Sequence, residues 1–316
     1  MTQKAKMLAI RKTLARCTPL KAAYNGFYSG SMTTLGHLSP VFLNRFRYRL
    51  AWGRWPELKQ PKTFDEKLQW LNLFWQEPLK ARCGDKFTVR GFVEEHQLGY
   101  ILPELFGVYE ASEDLRLEDL PNRFVLKCSH GCKCNVFCPD KATLDWALTK
   151  SNLDSWMKQD FSMPSGELHY SSMTPRIICE EFLQDGTENT LPTDYKVFCF
   201  GGRAYCTMIA TAREANGNAK LAFYDLEWKR KLPYCIPELQ ASCEIEKPAA
   251  YEEIVSCAEI LSRGFPFVRM DFYSVNGRAR LGEMTFTPGA CVSADYMTEF
   301  AQQELGRMIE LPDPID

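Results

Sequence analysis

The chain lacks the short motifs that would assign it to the commonest catalytic frameworks. It contains no GxxxxGKS/T loop, no GxGxxG, no HExxH and no GxSxG, which removes the main support for P-loop, dinucleotide-binding, zincin and serine-hydrolase readings. Asp-x-Asp is missing too, which weakens a metal-dependent nucleotide-sugar glycosyltransferase. No apolar run is long enough to span a bilayer, no cleavable signal peptide is recognisable, and there is no internal repeat or low-complexity tract. With thirteen cysteines and no secretory signal, mostly free thiols in a reducing, cytoplasmic setting are expected.

One absence is local. Residues 1–56 contain no Asp or Glu and carry ten Lys or Arg: Lys4, Lys6, Arg11, Lys12, Arg16, Lys21, Arg45, Arg47, Arg49 and Arg54. The whole chain has net charge −2, so the remainder carries −12 by subtraction of the +10 head. A basic head rich in aromatics suits a membrane surface or a polyanionic glycan, placing the protein peripherally at the inner face of a membrane. It equally suits a solvated helical face docked on the acidic remainder.

What is present is an ordinary globular composition, 316 residues with 45% apolar content, enough for two or three lobes. Residues 1–60 read as short helices and loops. Thr63 and Glu66 form a capping box that opens an amphipathic helix ending near Pro78, and a second helix reads from Asp85 to Leu98, with Lys86 in its first turn. From Arg123 the pattern turns to strands: RFVLKCS, the loop SHGCKCN, VFC, then a helix from Asp140 and a flexible loop over Gln159–Thr174. The strands RIICEEFL, DYKVFCF, RAYCTMIATA and one near Lys220–Asp225 follow, with a Gly201-Gly202 hairpin turn. Helix 251–263 precedes the last hairpin, and Asp295 is expected to cap a final helix. The class is α+β.

That hairpin, FPFVRMDFYSVNGRARLGEMTFTPGA, is the most informative stretch. Val268, Met270, Phe272, Met284 and Phe286 alternate with Arg269, Asp271, Tyr273, Glu283 and Thr285. A three-residue loop, Asn276 to Arg278, sets Asp271 opposite Glu283 and Arg269 opposite Thr285. A two-residue Asn-Gly loop would set Met270 against Glu283 and mix the faces. Opposed acids repel unless a cation lies between them, so the pair is a candidate Mg²⁺ site. The alternative is an exposed hairpin with scattered charges.

Lys127, on an apolar strand before Ser129 and Gly131, is either a ligand contact or half of an ion pair. Cys128, Cys132, Cys134 and Cys138 with His130 are too tightly spaced for an ordinary zinc site, and Cys128 and Cys138 read as small core residues.

In order, a lysine near a helix start, a strand lysine before a small-residue loop, ICEEFL, and an acid strand ending E-x-T-x-x-P-G resemble the ATP-grasp superfamily. PKTFDEKLQWLNLFW, GDKFTVRGFV, FVLKCSHG, IICEEFL, DYKVFCFGG and VRMDFY with GEMTFTPG are similar to its TupA-like branch, named for teichuronopeptide biosynthesis, over about residues 60–300. The resemblance implies two α+β lobes clasping ATP, divided here as 1–60, 61–120, 121–183 and 184–316. It implies that Lys86 and Lys127 contact the α- and β-phosphates beneath a loop from Ser129 to Asn135 that includes Gly131. It implies that Glu181, Phe182 and Leu183 meet adenine, Glu188 or Asp194 the ribose, and Lys196 the γ-phosphate. Asp271 and Glu283 would hold Mg²⁺, with Thr285 a weaker ligand where the superfamily has Asn, and Arg269 would stabilise an acyl phosphate. The implied activity is carboxylate–amine ligation on a surface polysaccharide or its precursor, with no nucleic-acid partner. A sugar kinase, a glycosyltransferase and a non-catalytic adaptor are the rivals.

Overall fold

The computed structural model describes residues 30–184, 192–210 and 220–314; Glu188 and the Asp185-Gly186 turn lie outside them. Helix α1 (Pro40–Trp52) starts at Ser39, whose hydroxyl accepts from the Phe42 N–H, and stops at Gly53 with φ 74°. Helix α2 (Phe64–Phe74) opens with the expected Thr63–Glu66 capping box.

The helix read from Asp85 to Leu98 is divided differently. Helix α3 (Pro78–Gly84) ends before Asp85, and α4 (Val89–Glu95) begins after Thr88. Asp85 Oδ1 accepts from the N–H groups of Phe87 and Thr88 at 2.8 and 2.9 Å, a local turn that competes with helix propagation. Lys86 therefore sits in a turn rather than at a helix start.

Strands β1 (Leu105–Tyr109), β2 (Phe124–Cys128), β3 (Asn135–Cys138) and β4 (Ile177–Glu181) form an antiparallel sheet of order β1-β4-β2-β3. Between β3 and β4 runs α5 (Trp146–Met157), capped by Asp145 rather than by Asp140. The stretch expected to be a flexible loop, Gln159–Thr174, is instead docked. Asn44 and Asn72 both donate to the Gly166 carbonyl, at 3.0 and 2.6 Å, and Asn72 accepts from the Leu168 N–H. Two buried amides on two helices thus fix a segment whose composition alone suggests mobility.

The second sheet is β7-β6-β5-β8-β9, from β5 (Asp194–Phe200), β6 (Arg203–Ala210), β7 (Leu221–Asp225), β8 (Phe267–Val275) and β9 (Arg278–Thr285). One face packs on α6 (Tyr251–Leu261), burying Val268, Met270, Phe272 and Met284. The other face is apolar at one end, where Phe64 of α2 meets Phe267 at 5.0 Å and Phe198 at 6.0 Å, and charged at the other. Helix α7 (Glu299–Met308) packs on α2 and is capped by Thr298, not Asp295.

The hairpin register holds at its polar end, with Asp271 opposite Glu283 and Arg269 opposite Thr285. Its turn does not. Val275 pairs with Arg278, so the loop is the two-residue Asn276-Gly277, and a bulge at Gly282 supplies the extra residue that restores the faces.

Candidate active site

Across the large sheet, Glu283 of β9, Asp271 of β8 and Lys196 of β5 stand in one cross-strand row. Antiparallel pairing puts directly opposed residues on the same face, so the row is a consequence of register alone. Arg269 grips Asp271 with two hydrogen bonds of 2.6 Å, and Lys196 Nζ reaches Asp271 Oδ2 at 2.6 Å. Lys196 also pairs with Asp194. Burial opposes ionisation of Asp271, yet Arg269 and then Lys196 outweigh it and hold the carboxyl below its usual range.

Thr285 stands beside Arg269 and Glu283. Its hydroxyl accepts from Arg269 at 3.1 Å and donates to Glu283 at 3.1 Å, so it aligns a cation and an acid. The Glu283 side chain remains 38% exposed.

On the small sheet, Glu180 lies buried between Lys127 Nζ at 2.7 Å and Arg90 Nη1 at 2.9 Å. Lys127 thus makes an ion pair. Lys86 donates from its Nζ to the Gly131 carbonyl and from its backbone to the Ser129 carbonyl, while the Ser129 hydroxyl donates to Asp85 at 2.7 Å. Gly131 admits no side chain, since a Cβ would stand 2.5 Å from the Phe161 ring. The Glu181 N–H donates to the Glu104 carbonyl, Arg123 sits 5.0 Å over Phe182, and Leu183 follows half-buried.

The Tyr273 phenol is raised by burial and then by Asp194, Glu283, Asp271 and Glu180, so acids of both sheets converge on one ring. On the loop from Ser129 to Asn135, the Cys132 thiol is raised by desolvation and then by Glu167, with Glu283 contributing, so the loop lies near both acids. Cys128 and Cys138 are fully buried, as expected of core residues.

The chemistry of the donors fits a magnesium nucleotide. Asp271 and Glu283 offer hard carboxylate oxygens, and Asp271 Oδ1, holding one hydrogen bond of about two possible, keeps an acceptor site. Lys127, Arg90 and Lys86 offer cations to a phosphate chain.

Sequence reading missed Glu180, Asp85 and Glu167. Glu180 was legible, because strand alternation puts it with Ile178 on the Lys127 face. Glu167, nine-tenths buried and 2.5 Å from Thr287 Oγ1, carries no such signal, lying in a segment of no regular period. A separate open cavity of about 710 Å³, between Arg54, Lys59, Lys62 and Glu299, shares no residue with either cluster.

Two sheets closing on a charged cleft are the ATP-grasp architecture. A family model described as TupA-like ATPgrasp matches residues 66–310, and the chain belongs to that family. Among solved structures it is similar to D-alanine–D-alanine ligase from Bacillus anthracis, with 14% identity, a TM-score of 0.41, and coverage of 72% of this chain and 66% of that one. It is similar to D-cycloserine synthetase DcsG at 12% identity, TM-score 0.41, covering 73% and 70%. The ATP-grasp ligase PsnB, complexed with minimal precursor, Mg and ADP, is 13% identical with TM-score 0.36, covering 75% and 59%. The chain spans just under two thirds of the length of the first of these. No curated protein matches it.

Proposed function

We propose that the protein is an ATP-dependent carboxylate–amine ligase that works through an acyl phosphate. The observation that carries this reading is the row Glu283–Asp271–Lys196 with Arg269 on the large sheet, together with the cluster of Lys127, Arg90 and Glu180 at the small sheet. One side has an excess of acid for a metal ion, the other an excess of cation for phosphates. Family membership supports the same conclusion.

In this reading Asp271 and Glu283 hold Mg²⁺, and Thr285 aligns Glu283 with Arg269. Lys86 and Lys127 take the α- and β-phosphates, Lys127 exchanging Glu180 for a phosphate oxygen. The backbone of Glu181, Phe182 and Leu183 meets adenine, Asp194 or Glu188 the ribose, and the loop with Ser129 and Gly131 excludes water. Mg²⁺–ATP supplies the phosphoryl group that activates the acid. Lys196 neutralises charge on that group, and Arg269 stabilises the acyl phosphate and the tetrahedral species formed when an amine attacks its carbonyl carbon. Phosphate leaves and an amide remains. The acid is a uronic carboxyl of a surface polysaccharide or its precursor, and the amine is an amino acid or a related compound.

The test is ADP release with Mg²⁺–ATP and a uronic acid, with and without amine. Release that needs the amine and yields an amide is expected. Phosphoester formation without amine sinks the ligase in favour of a kinase.

A further inference from the structure

Helix α1 is apolar on two sides. Its inward side buries Leu43 and Tyr48, while Asn44 reaches the Gly166 carbonyl and Arg47 the carbonyls of Ser165 and Ala290. Its outward side carries Val41, Phe42 and Arg45, flanked by Leu38 at 78% exposure and Trp55 at 49%. Phe42 stacks on Phe46 with centroids 6.1 Å apart and lies 6.3 Å from Trp55, and the Arg45 guanidinium sits 5.6 Å over the Trp55 ring. A helix at a protein surface ordinarily turns charge and polarity to water. This one turns an aliphatic and aromatic patch with an arginine in it.

We propose that this face seats the protein on an anionic bilayer, from whose surface it takes a lipid-borne carboxylate; the second clause rests on the ligase reading. Charge supports the occupant. No Asp or Glu occurs before Glu57, and six further cations lie in residues 1–29. Two arginines of the head are paired within the molecule, Arg47 as above and Arg54 with Glu299 at 3.0 Å in an exposed ion pair, while Arg45 stands exposed in the aromatic patch. An anionic glycan would satisfy those cations, but it offers no hydrocarbon in which Leu38, Val41, Phe42 and Trp55 could be buried. Tryptophan and arginine beside aliphatic side chains suit the boundary between headgroups and acyl chains.

Arg47, on the opposite side of the same helix, reaches the turn just after the metal-binding hairpin and the residue two before Glu167. The membrane face and the segments that carry Glu167 and follow the hairpin are therefore held by opposite sides of one helix, about 10 Å across.

Flotation of the full-length protein with vesicles tests this without nucleotide. It should float with vesicles of phosphatidylglycerol and phosphatidylcholine, much less with phosphatidylcholine alone, and less in high salt. Phe42→Ser with Trp55→Ser should lower partitioning about tenfold or more, the loss expected from removing two aromatic anchors. If that pair fails to fold, Leu38→Ser serves, with a smaller loss in the same direction. The proposal is overturned if the wild type stays in the aqueous phase, if the variants float equally well, or if polygalacturonate binds both alike while vesicles bind neither. Amide formation from a soluble uronic acid without vesicles, unchanged in the double variant, checks the ligase reading separately.

Discussion

Each sheet carries one deeply buried carboxylate gripped by two cations, and the two differ in what surrounds the grip. On the small sheet Glu180 stands alone between Lys127 and Arg90, two cations against one acid. On the large sheet Asp271 stands between Arg269 and Lys196, but Asp194 and Glu283 flank it, two cations against three acids. The same local device therefore leaves one positive charge on one side of the cleft and one negative charge on the other. A phosphate chain can replace Glu180 as the partner of its cations, whereas a metal ion can add to the acids without displacing Arg269.

The largest effect that can break this contrast is at Asp271. Asp271→Asn should lower ATP turnover about a thousandfold, the scale of losing a preorganised charge at the reacting group. It should also cost about 3 kcal/mol of stability, because two buried cations lose the acid they share. ADP release and urea unfolding measure the two. Full stability combined with lost turnover would mean that the neighbouring acids compensate, and that the grip is not structural.

Glu180→Gln should destabilise by a similar amount, about 3 kcal/mol, for the same reason. The contrast lies in rescue. Mg²⁺–ATP at one hundred times its Kd stabilises by about 2.7 kcal/mol, and the variant should gain more than the wild type, since phosphates supply the anion that Lys127 and Arg90 have lost. Thermal unfolding with and without nucleotide decides it. Rescue of Asp271→Asn in place of Glu180→Gln would reverse the assignment of phosphate and metal sides.

The hairpin shows how far such a site is legible in the sequence. Alternation of Val268, Met270 and Phe272 with Arg269 and Asp271 is strong enough to set the functional register, and Asp271 does face Glu283. The turn was misjudged because periodicity counts faces and cannot see one inserted residue. Asn276-Gly277 is the short turn its composition favours, and Gly282 corrects the register downstream. The same limit explains Lys86, moved into a turn by Asp85, and Glu167, fixed by amides more than ninety residues away. Gly282→Ala tests the bulge: its Cβ would lie 3.0 Å from Tyr273 Cε2 and 3.1 Å from the Asp271 carbonyl oxygen. We expect about 1 kcal/mol of destabilisation, read by urea unfolding. An unchanged midpoint would show that the bulge can migrate.

A third buried acid separates the effect of burial from that of the cations. Asp65 is as deeply buried as Asp271, but it is held by neutral donors: Trp52 Nε1, the Ser293 N–H and the Ser293 hydroxyl, each at 2.8 Å. Burial pushes its carboxyl up to about 6, while Asp271 is held below the ordinary range. The signs for stability are opposite. A raised folded-state value means that the Asp65 contribution is full below its unfolded value of 3.8 and is lost as pH rises through about 6. For Asp271 the contribution is present above its unfolded value and is lost on acidification. Asp65→Asn should therefore flatten part of the fall in urea midpoint between about pH 4 and pH 6 that the wild type shows from this group. The readout is the difference between the two profiles, because other buried acids titrate in the same window. Parallel profiles would mean that Asp65 stays ionised in the folded protein, and that neutral donors alone can do at α2 what Arg269 and Lys196 do at β8.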